Sequence, residues 1–187
     1  GGQAGSGHIE PVCGLAFESV EGRMVASGGK DCCVAVWDVR ASVGNVNSDA
    51  GGKPLMEFKQ HQSSVKALAW SPFKRGILAT GGGMEDRTVK VWDTQESLGS
   101  KLKADLGVHA QVAGLFWAFR GSLVVAGGYG EGSGGLSTQG ALQVWDTDAQ
   151  RREASCVCGN EGDEYASRRF LGLCGRPPKA GGGGGKG

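Results

Sequence analysis

The sequence predicts an all-β chain that forms about three four-stranded antiparallel blades of an incomplete β-propeller of about seven blades. Residues 61–95 carry the pattern most clearly, because they hold the apolar runs VKALAW (65–70), GILAT (76–80) and TVKVWD (88–93). Short runs rich in Val, Leu, Ile and Trp, separated by the turn-forming segments SPFKR and GGGMEDR, are typical of antiparallel strands. No window shows the i, i+3, i+4, i+7 spacing over about ten or more residues that an amphipathic helix needs.

The same pattern occurs twice more, in residues 7–40 and 109–147. Each copy has a His, an apolar strand, a turn, a strand of small residues, a Gly-Gly pair and a third strand that ends in Trp. The tryptophans are Trp37, Trp92 and Trp145, at intervals of 55 and 53 residues. WD-type repeats have about 40–45 residues and four strands per blade, so we expect the excess residues to lie in loops.

These repeats divide the chain into blades and connecting segments. We place the blades at residues 8–40, 55–95 and 100–146, with a loop insertion at 41–54. The outermost strands are assigned to LMEF (55–58) and to KLKADL (101–106), each of which should close one blade onto the next. Residues 1–7 are expected to be a flexible Gly-rich end, and residues 147–187 a low-complexity, disordered tail without blade periodicity.

The recurring polar residues resemble the structural positions of WD repeats, and that resemblance implies a hydrogen-bonded chain across each blade. In the second repeat these residues are His61, Thr80, Asp86 and Trp92. The first repeat has the full set in His8, Ser27, Asp31 and Trp37. The third repeat keeps His109 and Trp145, but Ala126 replaces the hydroxyl residue, and we expect that blade to be the loosest. The resemblance gives these residues a structural role and not a catalytic one.

The composition gives no support for nucleic acid or a membrane as a partner. The 187 residues carry a formal net charge of +1, which gives no electrostatic bias toward nucleic acid or an anionic membrane. No apolar run approaches the length that spans a bilayer, and the first residues lack the apolar core of a signal peptide. Because the chain starts without Met and within the pattern, we expect a fragment or a truncated gene product.

Six cysteines raise the question of disulfides or zinc, and we expect free thiols and no metal. Three lie in or beside strands of the first repeat, where Cys behaves as a small apolar residue: Cys13, Cys32 and Cys33. The others lie in the predicted tail without the paired C-x₂-C spacing of zinc sites: Cys156, Cys158 and Cys174.

Enzymatic signatures are weak. The sequence shows no plausible nucleophile–base pair or close carboxylate pair, so we predict no enzyme, no cofactor and no small-molecule ligand. Gly130, Gly132 and Gly135 have the spacing of a dinucleotide-binding loop, but the helix that would bind the pyrophosphate does not follow.

The wider sequence resembles three consecutive middle blades of the Fizzy and Fizzy-related family. The specific element is the block VKALAWSP-x-x-x-G-x-LATGGG-x-x-DR, and the resemblance covers residues 8–146. Members of that family are propeller co-activators of the anaphase-promoting complex, a ubiquitin ligase. The resemblance implies a substrate-recognition and activator subunit, present in nucleus and cytoplasm, that binds degron-bearing substrate proteins and subunits of the complex. The alternative is a general WD-repeat interaction scaffold or a non-functional gene fragment.

The family resemblance also implies a degron pocket on one end of the propeller. Its KEN-type pocket uses an Asn in GGNDN, a Thr in GGGT-x-DR and a Gln in HSQV. The matching positions here are Lys30, Met84 and Gln111, and only the Gln is retained. An ammonium and a thioether replace an amide and a hydroxyl, so donor–acceptor matching to a degron is expected to be lost at two positions.

Three blades also leave two uncovered flanks. Repeats of this kind bury a core by stacking on neighbours, and a propeller protects its edges by closure. We therefore expect the isolated chain to be marginally stable and to self-associate.

Overall fold

The computed structural model describes residues 7–40, 53–95, 101–118, 121–128 and 140–157. Their strands form three four-stranded sheets, which we call blades 1, 2 and 3. Blade 1 contains β1 (Val12–Phe17), β2 (Met24–Gly29), β3 (Val34–Asp38) and β4 (Met56–Phe58). Blade 2 contains β5 (Val65–Trp70), β6 (Ile77–Gly82), β7 (Thr88–Asp93) and β8 (Lys101–Gly107). Blade 3 contains β9 (Val112–Trp117), β10 (Leu123–Gly127), β11 (Ala141–Asp146) and β12 (Arg151–Val157).

Within each blade the strands pair antiparallel in the order of the chain. The registers agree between blades: Ser27 lies opposite Leu15 in blade 1, and Thr80 lies opposite Leu68 in blade 2. A β-bulge follows the first residue of the innermost strand, between Val12 and Gly14 and between Val65 and Ala67. The predicted fold class, an all-β chain with three four-stranded antiparallel blades, is therefore confirmed.

The outermost strands lie in different blades from those that the repeat boundaries suggest. β4 pairs with β3 of blade 1, although its residues were grouped with the second repeat, 55–95. β8 pairs with β7 of blade 2, although its residues were grouped with the third repeat, 100–146. The outermost strand of a blade follows the third strand along the chain and pairs antiparallel with it. The His that begins the next sequence repeat comes only after that outermost strand.

Blade 3 extends beyond the predicted boundary at residue 146. β12 lies in the segment predicted to be a tail, and it pairs with β11 from Ala141 opposite Val157 to Asp146 opposite Arg151. Its sequence, RREASCV, carries charges on exposed residues and no apolar alternation, so only pairing with β11 specifies the strand. The rest of the predicted tail, residues 158–187, lies outside the described residues, as do 1–6 and most of the predicted insertion, 41–52.

The blades stack through their innermost strands, β1, β5 and β9. The indole N–H of Trp70 donates to the carbonyl of Ala16 at 3.1 Å, and that of Trp117 donates to the carbonyl of Ala69 at 3.0 Å. Glycine allows this close approach, because a Cβ on Gly28 would lie 2.5 Å from the carbonyl oxygen of Val65. Backbone therefore packs directly against backbone where one blade meets the next.

Apolar side chains fill the spaces between neighbouring blades. One cluster joins blades 1 and 2 and includes Trp92, which is fully buried and stacks on Phe58 with ring centroids 4.5 Å apart. The second cluster joins blades 2 and 3. Because the core lies between blades, each blade depends on its neighbour for stability.

Three of the six cysteines have described side chains, and all three are free thiols, as the sequence predicts. Burial raises the pKa of the Cys33 thiol to about 11, so this thiol stays protonated near neutral pH. Cys158 and Cys174 lie outside the described residues, and the Cys156 side chain is not described. In the described part of the chain, no helix combines the length and apolar character required to cross a membrane.

Candidate functional site

One end of each blade carries the residues that the sequence singles out. The segment before the innermost strand and the turn between the second and third strands meet there, and we call this the upper end. The amide of Lys30 donates to the carbonyl of Pro11 at 2.9 Å in blade 1. The amide of Gly128 donates to the carbonyl of Gln111 at 2.8 Å in blade 3. Main-chain hydrogen bonds therefore hold the two segments of the upper end together.

In blade 1 the four residues expected to form a chain do contact one another. The ring of His8 hydrogen-bonds through Nδ1 to the carboxylate of Asp31 at 3.0 Å and through Nε2 to Oγ of Ser27 at 2.8 Å. The indole N–H of Trp37 donates to the same Oγ at 2.8 Å. The chain runs from the upper-end turn to the third strand, β3.

Blade 2 repeats this chain, with all four side chains buried. His61 bonds to Asp86 through Nδ1 and to Oγ1 of Thr80 through Nε2 at 2.7 Å. The indole N–H of Trp92 donates to the same hydroxyl at 2.8 Å. Thr80 and Trp92 are fully buried, so these bonds satisfy polar groups that water cannot reach.

The two aspartates are held ionised by their hydrogen bonds. Burial alone would raise the pKa of Asp31, but donors from His8, Ile9 and Cys33 outweigh it and hold that pKa below its usual value. Burial would also raise the pKa of Asp86, but its hydrogen bonds with His61 and with the hydroxyl of Thr88 lower that pKa below its usual value. Both carboxylates therefore act as fixed acceptors.

Blade 3 uses a different polar chain. His109 is exposed, has a φ of 59° and makes no hydrogen bond from its ring to the described residues. The indole N–H of Trp145 donates instead to Oε1 of Gln143 at 3.0 Å, and Nε2 of Gln143 donates to the carbonyl of Val108 at 3.0 Å. The resemblance to WD repeats thus placed Trp145 in a chain but missed Gln143. The available signal was a polar residue within the apolar strand ALQVWD.

The expectation that Ala126 takes the hydroxyl position is wrong. Val125 lies opposite Leu115 and Gln143, at the register position that Ser27 and Thr80 have in their blades, and Ala126 lies one position further along β10.

The Ser27–His8–Asp31 arrangement has the order of groups found in hydrolase triads. It cannot act as one, because the Ser27 side chain is only 3% exposed and its oxygen accepts the Trp37 N–H. In blade 2 the corresponding hydroxyl, Thr80, is inaccessible. A nucleophile that a substrate cannot reach supports no acyl transfer, and the arrangement is structural.

The three positions that the family resemblance matches to a degron pocket lie at the upper end of successive blades. Lys30 is exposed in the β2–β3 turn of blade 1. Met84 is 46% exposed in the β6–β7 turn of blade 2, where its carbonyl accepts from Nε of Arg87 at 2.7 Å. Gln111 is half-buried just before β9 of blade 3. The fold therefore presents all three on one end, although each comes from a different blade.

The other candidate sites have less support as functional sites. Within the described ranges, no group of three or more His, Cys, Asp or Glu side chains is placed to hold a metal ion. A shallow cleft between blades 2 and 3 includes Trp117 and the ion pair of Lys74 with Asp148 at 2.7 Å, but it opens at the opposite, lower end. Gly130, Gly132 and Gly135 lie outside the described residues.

Comparison with known families supports the repeat assignment. The family described as WD domain, G-beta repeat matches residues 3–38 and 52–93. These ranges hold the first three strands of blade 1, and then its outermost strand with the first three strands of blade 2. The repeats of this chain are therefore WD repeats.

Two curated relatives share about three fifths of the chain. WD repeat-containing protein srw1 of Schizosaccharomyces pombe is 43% identical over 111 residues, which are 59% of this chain and 17% of that protein. Cell division cycle 20.1, cofactor of APC complex, of Arabidopsis thaliana is 45% identical over 113 residues, which are 60% of this chain and 23% of that protein. The chain thus spans about a fifth of the length of these relatives.

A solved structure matches most of the chain. A chain in the crystal structure of the mitotic checkpoint complex superposes with a TM-score of 0.68 at 26% identity. The match covers 89% of this chain and 43% of the other. The fold, the repeat pattern and the sequence similarity therefore all indicate WD-repeat proteins.

Proposed function

This chain is a WD-repeat protein related to the Fizzy and Fizzy-related proteins, and from that premise we propose that it is a substrate-recognition and activator subunit of the anaphase-promoting complex. In this role it binds degron peptides of substrate proteins and promotes their ubiquitin-dependent proteolysis in cell-cycle control, in nucleus and cytoplasm. The observation that carries the proposal is the 45% identity to a protein named as a cofactor of the APC complex.

The upper end is the surface that we propose for degron binding. Buried hydrogen-bond chains fix the turn that carries Lys30, through Asp31, and the turn that carries Met84, through Asp86. A peptide lying across the upper end of the three blades would meet these two exposed side chains and Gln111. Side chains held on rigid turns lose little conformational entropy when a peptide binds, which favours recognition.

The proposal is tested by restoring the two departures from the family pocket. Lys30→Asn and Met84→Thr together should raise the affinity for a KEN-type peptide at least about tenfold, because Asn adds a carbonyl acceptor that the ammonium lacks and Thr adds a hydroxyl in place of a thioether. Isothermal titration of the full chain measures the change. Lys103→Asn removes the same charge from β8, outside the upper end, and should leave the affinity unchanged.

Two results would count against this assignment. Tight peptide binding by the unchanged chain would show that Lys30 and Met84 do not occupy the pocket positions. No binding by the doubly restored variant, with its fold intact by circular dichroism, would reject degron recognition at the upper end.

A general interaction scaffold is the second candidate function. It is favoured by the exposed ammonium of Lys30 and the exposed thioether of Met84 at this end. Such groups suit a partner that offers an acidic side chain and an apolar one rather than an Asn. In that case the restoring substitutions would weaken partner binding instead of strengthening it.

A further inference from the structure

Glu18 is a buried carboxyl group in blade 1 that belongs to none of the polar chains described above. Its side chain is 1% exposed. Neither carboxyl oxygen has a hydrogen-bond partner among the residues that the structure describes. A carboxyl group that leaves water without gaining hydrogen bonds costs free energy in either protonation state, and most when it is ionised. Glu18 therefore destabilises the part of the fold that encloses it.

The side chain of Glu18 faces blade 2. Glu18 directly follows β1, and its amide donates to the carbonyl of Met24 at 2.9 Å, so it extends the pairing of β1 with β2 by one residue. Alternation along the strand places its side chain on the face of Gly14 and Ala16. On that face a Cβ on Gly14 would overlap the backbone of β5, and the carbonyl of Ala16 accepts the indole N–H of Trp70. Glu18 therefore lies in the interface between blades 1 and 2.

The other two blades have no charge at this position. The corresponding residues are Ser71 and Ala118, whose amides donate at 2.8 Å to the equivalent carbonyls, those of Ile77 and Ser122. Ser71 lines the lower-end cleft between blades 2 and 3, and its hydroxyl accepts hydrogen bonds from two amides of its own turn, at 3.1 and 3.3 Å. Glu18 thus occupies the same place between blades 1 and 2, which we call the lower seam. The blade fold itself does not require a carboxyl group there.

The arginines around the lower seam have other partners. Arg75, in the β5–β6 turn of blade 2, pairs with Glu21 of the β1–β2 turn at 2.9 Å, and Arg23 pairs with Asp38 at 3.5 Å. The pair of Glu21 with Arg75 joins the two blades across the lower seam. The Arg75 side chain is 53% exposed, so solvent screens this pair and it holds the lower seam closed only weakly.

We propose that the lower seam is a conformational switch, in which the β1–β2 turn, residues 18–23, moves off blade 2 and exposes Glu18 to water. In the closed state, packing against blade 2 keeps the carboxyl group of Glu18 enclosed and without hydrogen bonds. In the open state water hydrates it. Release of this buried group lowers the free energy of opening, so the lower seam opens without unfolding of the remaining blades.

Hydrogen exchange measured by NMR on the full chain tests the switch. Glu18→Ser introduces the residue of blade 2, so opening no longer releases a buried carboxyl group. The protection factor of the amide of residue 18 should therefore rise at least about tenfold. The amides of Ser71 and Ala118 make the equivalent hydrogen bonds in the other blades, and their protection factors should not change.

A second substitution and a matched control complete the experiment. Glu18→Ala introduces the residue of blade 3 and should give a similar rise. Glu21→Ser removes a carboxylate from the same turn that is paired and partly exposed, and it should not raise the protection of the residue 18 amide. Unchanged or lower protection in both Glu18 variants, with the fold intact by circular dichroism, would overturn the proposal. An equal rise in Glu21→Ser would also overturn it, because the loss of negative charge from the turn would then explain the effect.

Discussion

Two buried His–Asp pairs fix the upper ends of blades 1 and 2. Each aspartate accepts a hydrogen bond from a histidine ring, and each histidine contacts a hydroxyl that also accepts an indole N–H. Removal of any one member would leave a buried polar group without a partner, which costs about 1–3 kcal/mol. These residues therefore keep the turns at the upper end in a single conformation.

The lowered pKa of Asp86 predicts a specific loss of stability in acid. A carboxylate with a folded-state pKa below its unfolded value, about 3.9, stabilises the fold fully above that pH and loses this contribution as pH falls through the folded pKa. Asp86→Asn should therefore lower the free energy of unfolding at pH 6 and reduce its fall below about pH 4. Urea denaturation at several pH values measures both effects.

Asp148 provides the control for this pH dependence. Its hydrogen bond to Lys74 lowers its pKa as well, but the pair is exposed and screened by solvent. Asp148→Asn should change the acid dependence only slightly. An equal effect of the two substitutions would show that the buried pair has no special role.

Residue roles were predictable where the repeat pattern is intact and not where it is altered. In blades 1 and 2 the His, hydroxyl, Asp and Trp residues recur at matching positions, and the structure places each set in one hydrogen-bonded chain. Blade 3 departs from the pattern because Val125, at the register position of Ser27 and Thr80, cannot accept an indole N–H, and Gln143 of β11 accepts it from Trp145 instead. The sequence of one repeat does not show that a glutamine two residues before the tryptophan can replace the hydroxyl that the other blades supply from their second strand.

At the scale of elements, glycine sets how closely the blades approach. Gly28→Ala would place a Cβ 2.5 Å from the carbonyl oxygen of Val65 and 2.9 Å from its Cγ1, so the blades must separate. We expect a loss of about 1–3 kcal/mol, as for other overpacked interiors. Chemical denaturation followed by tryptophan fluorescence measures this loss.

Gly127→Ala is the comparison substitution in blade 3, at a position that corresponds to Gly29 and faces its own blade. The added methyl group would meet only Cβ of Ala110 at 3.2 Å and a carbonyl oxygen at 3.5 Å. It should change stability by less than about 1 kcal/mol. If both glycines tolerated alanine equally, close packing between blades 1 and 2 would not depend on Gly28.

The inner three strands of each blade were predictable, and the outermost strands were only partly so. β5, β6 and β7 coincide with the apolar runs of the sequence, because both faces of these strands are largely buried. The sequence of β12 resembles a polar tail, because its residues from Arg151 to Ser155 are exposed. Only its hydrogen bonds to β11 specify it as a strand. Edge strands carry little hydrophobic pattern, so their ends and their partners depend on tertiary context.

For the whole molecule, the arrangement of blades separates stability from recognition. The cores lie between blades, whereas Lys30, Met84 and Gln111 project from the upper end. Substitutions of these three side chains can therefore alter the proposed peptide binding with little effect on folding. The sequence predicted this surface only through the resemblance to Fizzy-type proteins, because three residues in three repeats have no local signature that links them.

Capture of the purified anaphase-promoting complex by the full chain tests the central claim, that these blades form a docking adaptor. Immobilised chain should retain the complex and only a small amount of a KEN-bearing substrate, and the Lys30→Asn, Met84→Thr variant should retain more of the substrate at equal amounts of complex. A folded chain that retains neither the complex nor the substrate, with or without the two substitutions, would contradict the account.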